Sequence, residues 1–205
     1  SVPHEMSIPR RLAGRYLKIE LLGISSSFDF VFDKLTFKAQ TSVTNEAPAL
    51  ASTTDPLVRD IYEVGLNTLK ECMQTVYEDG PKRDRRLWIG DLYLEALANA
   101  YTFKNHELTK YCLYLLAAFA NDEGLLHATL LEKPQPHPQY GTHTLDYCLI
   151  YNVALLEYLK ETGDMETAND LWPVAVRQIE LALRQFSSKW IYDMDKKPQY
   201  WLVFD

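Results

Sequence analysis

Asp55-Pro56-Leu57-Val58-Arg59-Asp60-Ile61-Tyr62 is where the chain turns helical. Asp55 offers a side-chain acceptor to the free amides of a first turn, and proline is tolerated at the position that follows. Beyond it Val58, Ile61, Tyr62, Leu69, Cys72, Met73 and Val76 recur at helical spacing. Gly65 lies on the same face, where it lowers helix propensity and is expected to admit a close neighbour. Further helices are expected over about Trp88–Thr102, His106–Ala120, Thr144–Glu161 and Met165–Phe186. Asn121-Asp122-Glu123-Gly124 and Thr162-Gly163-Asp164 supply stops between them. Residues 124–143, with Pro134, Pro136 and Pro138, read as a long loop, and Trp190 to Asp205 as an aromatic, irregular or short-stranded tail. Helices of roughly 15–20 residues joined by alternating short and long loops suit an assembly of helical hairpins. No repeat near the roughly 34-residue period of a tetratricopeptide array is present.

On the other side of Asp55, residues 44–55 read as a polar linker and residues 1–43 as β. Arg15-Tyr16-Leu17-Lys18-Ile19-Glu20-Leu21 alternates with period two, and Phe28–Asp33 and Lys34–Ala39 follow it. Gly14, Gly23 and Ser25-Ser26-Ser27 mark turns. Two or three strands are too few for a core of their own, so this segment is expected to end a larger β-domain.

The 205 residues suffice for one good core or a domain and part of another, and 47% apolar with 24% charged residues is ordinary globular composition. A net charge of −7 lacks the basic field that phosphate backbones require, so nucleic acid is not an expected partner. No stretch approaches the roughly 20 apolar residues that span a bilayer, so no membrane partner is expected. The amphipathic helix faces are expected to form core rather than bind lipid, because their other faces are not strongly basic. Ser1-Val2-Pro3-His4-Glu5-Met6 carries no basic region followed by an apolar stretch, and a cytoplasmic location is expected. Cys72, Cys112 and Cys148 form no CxxC and read as small buried hydrophobes, which mildly favours a reducing compartment. Thirteen Tyr and four Trp offer apolar faces with polar tips, which both sugar sites and helical cores use.

Residues 78–91 concentrate charge. Glu78, Asp79, Asp84 and Asp91 alternate with Lys82, Arg83, Arg85 and Arg86. Gly80 and Pro81 prevent regular helix, so the segment is a loop feeding one. Asp91 is expected one turn inside that helix, on the face of Trp88, with Asp84 before its start. Glycoside hydrolysis uses one carboxylic acid to protonate the leaving oxygen and a second carboxylate to activate water or attack carbon. Burial or a neighbouring carboxylate supplies the raised pKa such an acid needs, and arginines hold other carboxylates in place. A solvated charged loop before a helix has the same composition, and the residues alone leave both readings open. His127, His137 and His143 are spaced like no known metal signature and read as a surface loop, with His143 and Asp146 as candidates for a site mouth. No G-x-S-x-G, Walker loop or G-x-G-x-x-G occurs.

Asp79, Pro81, Arg83, Asp84, Arg85, Trp88, Gly90 and Asp91 match in place a motif of the α-L-rhamnosidases, glycoside hydrolase family 78, which the chain resembles over about residues 35–205. Gly80 stands where the family usually has Cys, Lys82 where it has Gln, and Asp84 where it commonly has the longer Glu. Leu69–Met73, Asn121–Leu126, Asp146-Tyr147, Thr162–Asp164 and Trp201–Asp205 carry weaker similarity. The resemblance implies a mainly α fold: part of an (α/α)6 barrel over residues 56–205, after a β-sandwich domain ending near residue 43. It implies inverting hydrolysis of terminal α-L-rhamnosides without a cofactor or metal. Asp84 matches the general acid, while Asp79, Arg83, Trp88, Asp91 and Asp205 would contact the sugar. The family's general base lies on a much later helix, so the chain is expected to be an inactive fragment that self-associates through exposed apolar helix faces. The alternatives are a non-catalytic carbohydrate-binding or scaffold protein of the same fold and a helical interaction module without a sugar role.

Overall fold

The computed structural model describes residues 5–27 and 29–184, together with the backbone of Trp201–Leu202. It divides into two compact units, Ser1–Gln40 and Thr41–Asp205. In the first unit the described residues form neither helix nor β-ladder, which corrects the strands expected over residues 15–39. Period-two alternation selects an extended backbone, and the Lys18–Glu20 ion pair at 2.8 Å follows from that two-residue repeat. A strand also needs a neighbour to take its hydrogen bonds, and two or three short segments do not provide a stable one. Tyr16 and Leu22 accordingly stay more than nine-tenths exposed.

The second unit holds the helices. Its elements are α1 (Pro56–Cys72), β1 (Leu87–Trp88), α2 (Ile89–Tyr101), α3 (His106–Ala118), β2 (Thr129–Leu131), β3 (His137–Pro138), β4 (His143–Thr144), α4 (Leu145–Thr162), α5 (Met165–Leu183) and β5 (Trp201–Leu202). Each expected helix is present, within a few residues at its ends; the expected end of the last one, Phe186, lies outside the described residues. Asp55 caps α1 by accepting from the Leu57 amide at 2.8 Å. Asn105 caps α3, and Asp164 caps α5 by accepting from the Thr167 amide at 3.0 Å. Gly163 ends α4 with φ +69°, a left-handed turn that glycine adopts without strain. Residues 44–55 are irregular but held: Asn45 Nδ2 donates to the Phe103 carbonyl at 2.9 Å, and Tyr62 Oη to the Pro48 carbonyl at 2.8 Å.

Helices α2 and α3, and α4 and α5, form successive hairpins, and α4 packs against both α2 and α5. The core between them includes Met73, Tyr77, Ile89, Leu92, Leu113, Leu116 and Tyr151. Its buried tyrosine hydroxyls have partners: Tyr77 Oη meets Thr109 Oγ1 at 2.8 Å and Tyr151 Oη donates to the Leu113 carbonyl. Gly65 has open space where a side chain would stand, so the close neighbour expected there is absent among the described residues. Val58, Ile61 and Val64 around it are exposed, and burial on α1 begins only at Leu69 and Cys72.

The segment read as one long loop contains short strands. β1, β2 and β3 form an antiparallel sheet in that order, with Leu87 opposite Leu130 and Trp88 opposite Thr129. β4 pairs in parallel with β5. This sheet fixes the ends of two helices, because Ala128 accepts from the Ile89 amide at 3.0 Å and donates to the Thr142 carbonyl at 2.8 Å. The start of α2 and the segment leading through β4 into α4 are thereby tied to the residue that precedes β2. No described helix is long and apolar enough to cross a membrane.

Candidate active site

The charged loop is closed by its own first carboxylate. Asp79 Oδ1 accepts from the Arg86 amide at 3.0 Å, and the Asp79 amide donates back to the Arg86 carbonyl at 3.0 Å. Arg83 Nη2 pairs with Asp79 Oδ2 at 3.0 Å. The Asp79 side chain is 1% exposed while that of Arg83 is 73% exposed, so a buried anion is held by a cation reaching in from solvent. Arg85 takes φ +56°, a left-handed conformation that carries strain for a residue with a Cβ. Its Nε donates to the Pro81 carbonyl at 2.6 Å, and Arg86 Nη1 donates to Gln139 Oε1.

The candidate acid, Asp84, stands on this tethered turn with its side chain 39% exposed, its Oδ2 3.9 Å from Arg83 Nε. Trp88 is not on the helix, as its spacing to Asp91 had suggested. It is extended in β1 (φ −100°, ψ 141°) and forms the N-cap of α2. The physical reason is the ladder to Thr129, which claims the backbone before the helix begins. Asp91 sits in the first turn of α2. Burial raises its carboxyl pKa, the nearby Asp79 charge raises it further, and Arg83 opposes the rise. Asp79, Arg83, Asp84, Trp88 and Asp91 are thus carried by one loop and the helix start it feeds. Asp205 lies outside the described residues.

Two neighbours were not marked as site residues. Glu95, one turn beyond Asp91 on α2, has a buried Oε2 with no hydrogen-bond partner. Burial first, then the charges of Asp91, Asp79 and Glu78, push its carboxyl up to about 9, so it is protonated at neutral pH. Tyr147, in the first turn of α4, stands against Trp88 with ring centroids 6.1 Å apart and planes at 90°. Its traces in the sequence are the weak similarity of Asp146-Tyr147 and its position at the start of a helix that follows a loop.

His127 and His143 are buried, which corrects their reading as surface residues. Backbone hydrogen bonding of Ala128 to Thr142 brings the two segments together, with the ring centroids 4.3 Å apart. His143 Nδ1 lies 2.7 Å from the Leu126 carbonyl oxygen. Burial, with His143 alongside, lowers the His127 pKa to about 4. Asp146 is exposed, whereas His143 is 3% exposed. Among the described residues no group of three or more His, Cys, Asp or Glu is arranged to hold a metal.

The family model for the bacterial alpha-L-rhamnosidase 6 hairpin glycosidase domain matches residues 47–202, and that for the glycosyl hydrolase family 78 alpha-rhamnosidase N-terminal domain matches residues 1–39. A solved rhamnosidase from Klebsiella oxytoca with rhamnose bound is 45% identical with a TM-score of 0.71, over 74% of this chain and 29% of its own. A GH78 family rhamnosidase of Bacillus sp. GL1 is 24% identical with a TM-score of 0.63, over 71% of this chain and 14% of its own, a likeness of fold. The chain therefore spans less than a third of the Klebsiella enzyme's length. No curated protein matches it.

Proposed function

The chain belongs to the bacterial α-L-rhamnosidase six-hairpin glycosidase family, and from that premise we propose that the intact enzyme hydrolyses terminal α-L-rhamnosides with inversion. The observation that carries the reading is the Asp79-closed loop, which holds a partly exposed carboxyl at Asp84 on the turn leading into the Trp88–Asp91 helix start. In this reading Asp84 protonates the leaving glycosidic oxygen. A second carboxylate, outside these 205 residues, activates water on the opposite face of the sugar. Asp79, Arg83, Asp91 and Asp205 hold sugar hydroxyls, and Trp88 offers an apolar wall to the ring's C–H face. Residues 1–43 end a β-sandwich domain, 44–55 link it, and 56–205 begin the barrel. The chain alone is inactive and associates with itself through its uncovered helix faces.

The test is hydrolysis of an aryl α-L-rhamnoside by the intact enzyme, followed by NMR. The first-formed product is expected to be the β-anomer, and Asp84→Asn is expected to lower kcat by about 10²–10⁴-fold, the range of general acid catalysis. A first-formed α-anomer would overturn inversion, and an unaffected Asp84→Asn variant would remove the acid. Saturable rhamnose binding without turnover would favour the non-catalytic carbohydrate-binding alternative. Rhamnose binding unchanged by Trp88→Ala would count against both sugar readings.

A further inference from the structure

Two residues of the charged segment's helix start, Trp88 and Gly90, meet one side chain from another helix, and Asp91 follows them in the chain. Tyr147 reaches them from the first turn of α4. Its ring lies on Gly90: a Cβ there would stand 2.7 Å from Tyr147 Cζ and 2.8 Å from both Cε1 and the hydroxyl oxygen. Any side chain at position 90 therefore forces the ring to move. The same ring stands edge-on to the Trp88 indole at 90°. The Asp91 charge, after burial, raises the phenol's pKa, which places the polar end of Tyr147 in the field of that carboxylate. Tyr147 is only half-buried, so part of it remains open to a ligand.

Two aromatic surfaces at a right angle, with a carboxylate at one end, make a corner with an apolar interior and a polar edge. A 6-deoxyhexose suits such a corner. Its methyl group and neighbouring C–H bonds pack against the rings, and its hydroxyls point toward the carboxylates. A hexose that carries a hydroxymethyl group instead would bring a hydroxyl into the apolar interior, where it finds no partner.

We infer that Tyr147 is a sugar-positioning residue which, seated on Gly90 and orthogonal to Trp88, sets the preference for a 6-deoxy sugar over its 6-hydroxy counterpart. This rests on the rhamnosidase reading above. The ring is the working part, and the hydroxyl is secondary.

The experiment compares kcat and KM of the intact enzyme on aryl α-L-rhamnoside and aryl α-L-mannoside, which differ by one hydroxyl. Tyr147→Phe keeps the ring and is expected to leave the rhamnoside-to-mannoside ratio of kcat/KM within about twofold of the parent. Tyr147→Ala is expected to lower that ratio about tenfold, the scale of one lost apolar contact in a pocket. The loss should fall on KM for the rhamnoside more than on kcat. Gly90→Ala keeps the phenol but displaces it, and is expected to lower the ratio in the same direction. Tyr147→Leu, which preserves bulk, serves if the alanine variant does not fold. A ratio unchanged by Tyr147→Ala or Tyr147→Leu and by Gly90→Ala overturns the inference while the parent's rhamnoside activity keeps the function standing. A parent enzyme that turns over neither glycoside overturns both.

Discussion

Asp79 has two demands on it. As a sugar-contacting carboxylate it would need lone pairs directed at a ligand, yet one oxygen already accepts the Arg86 amide and the other the Arg83 guanidinium. Each carboxylate oxygen has a lone pair for a second partner, but the side chain is 1% exposed, and the structural use is the one its contacts display. The structural use can be measured separately. Asp79→Ala leaves the partly buried Arg86 amide without its acceptor and should destabilise the chain by about 1–3 kcal/mol in urea denaturation. Asp79→Asn keeps a neutral acceptor and should lose clearly less; equal losses would mean that the amide contact is not what holds the loop. Glu95 makes the opposite kind of prediction. With its carboxyl pushed up to about 9, the folded chain keeps a proton that the unfolded chain has released above the ordinary carboxylate range. Stability should therefore fall as pH rises from roughly 4.5 toward 9, with a slope of at most about 1.4 kcal/mol per pH unit. Glu95→Gln should flatten that slope, read from urea midpoints across the window.

At the scale of elements, the α4–α5 turn rests on one carboxylate. Asp164 accepts from the Thr167 amide and hydroxyl, from Lys110 Nζ and from Tyr158 Oη. These donors, the Thr167 amide first, hold its carboxyl far below the ordinary range. A depressed carboxyl stabilises the fold above its unfolded pKa of about 3.9, and that contribution is lost as pH falls below it. Asp164→Asn should lower the melting temperature at pH 7 and make it less sensitive to acid below pH 4; a parallel acid limb in parent and variant would refute this. The cap itself was readable, because Thr162-Gly163-Asp164 combines a left-handed glycine with a side-chain acceptor between two periodic runs. β1, β2 and β3 were not, since strands of two or three residues have no period and form only by pairing with residues far along the chain. That omission misplaced Trp88 on a helix and left His127 and His143 on the surface. In residues 15–39 the error ran the other way: alternation announced extension, and pairing did not follow. The loop from Asp79 to Asp91 was legible because its residues are contiguous. Tyr147 was not, because its relevance arises from contact across two helices and from the missing Cβ at Gly90.

At the scale of the whole molecule, the core is continuous through α2, α3 and α4 but its outer helices are only partly covered. Ile61 and Val64 on α1 are about 65% exposed, and Trp172 on α5 is 64% exposed. Leu156, Leu159, Trp172, Val176 and Ile179 line an apolar groove between α4 and α5. These faces carry the proposed self-association. The three cysteines lie on the other side of the same division. Cys72, Cys112 and Cys148 are free and buried, one each on α1, α3 and α4. Burial pushes the Cys72 and Cys148 thiols up to about 12 and raises that of Cys112 as well, so none presents a thiolate at neutral pH. Each is therefore a silent reporter of its own helix. In a pulse of an alkylating reagent followed by mass spectrometry, the folded chain should take up almost no label. Label appearing first at Cys72, with Cys112 and Cys148 still protected, would reveal the thinly covered α1 detaching before the hairpins part. Simultaneous labelling of all three would mean that the helices come apart as one unit. The chain thus carries a built-in record of the order in which it opens, written in sulfur at positions that need no engineering.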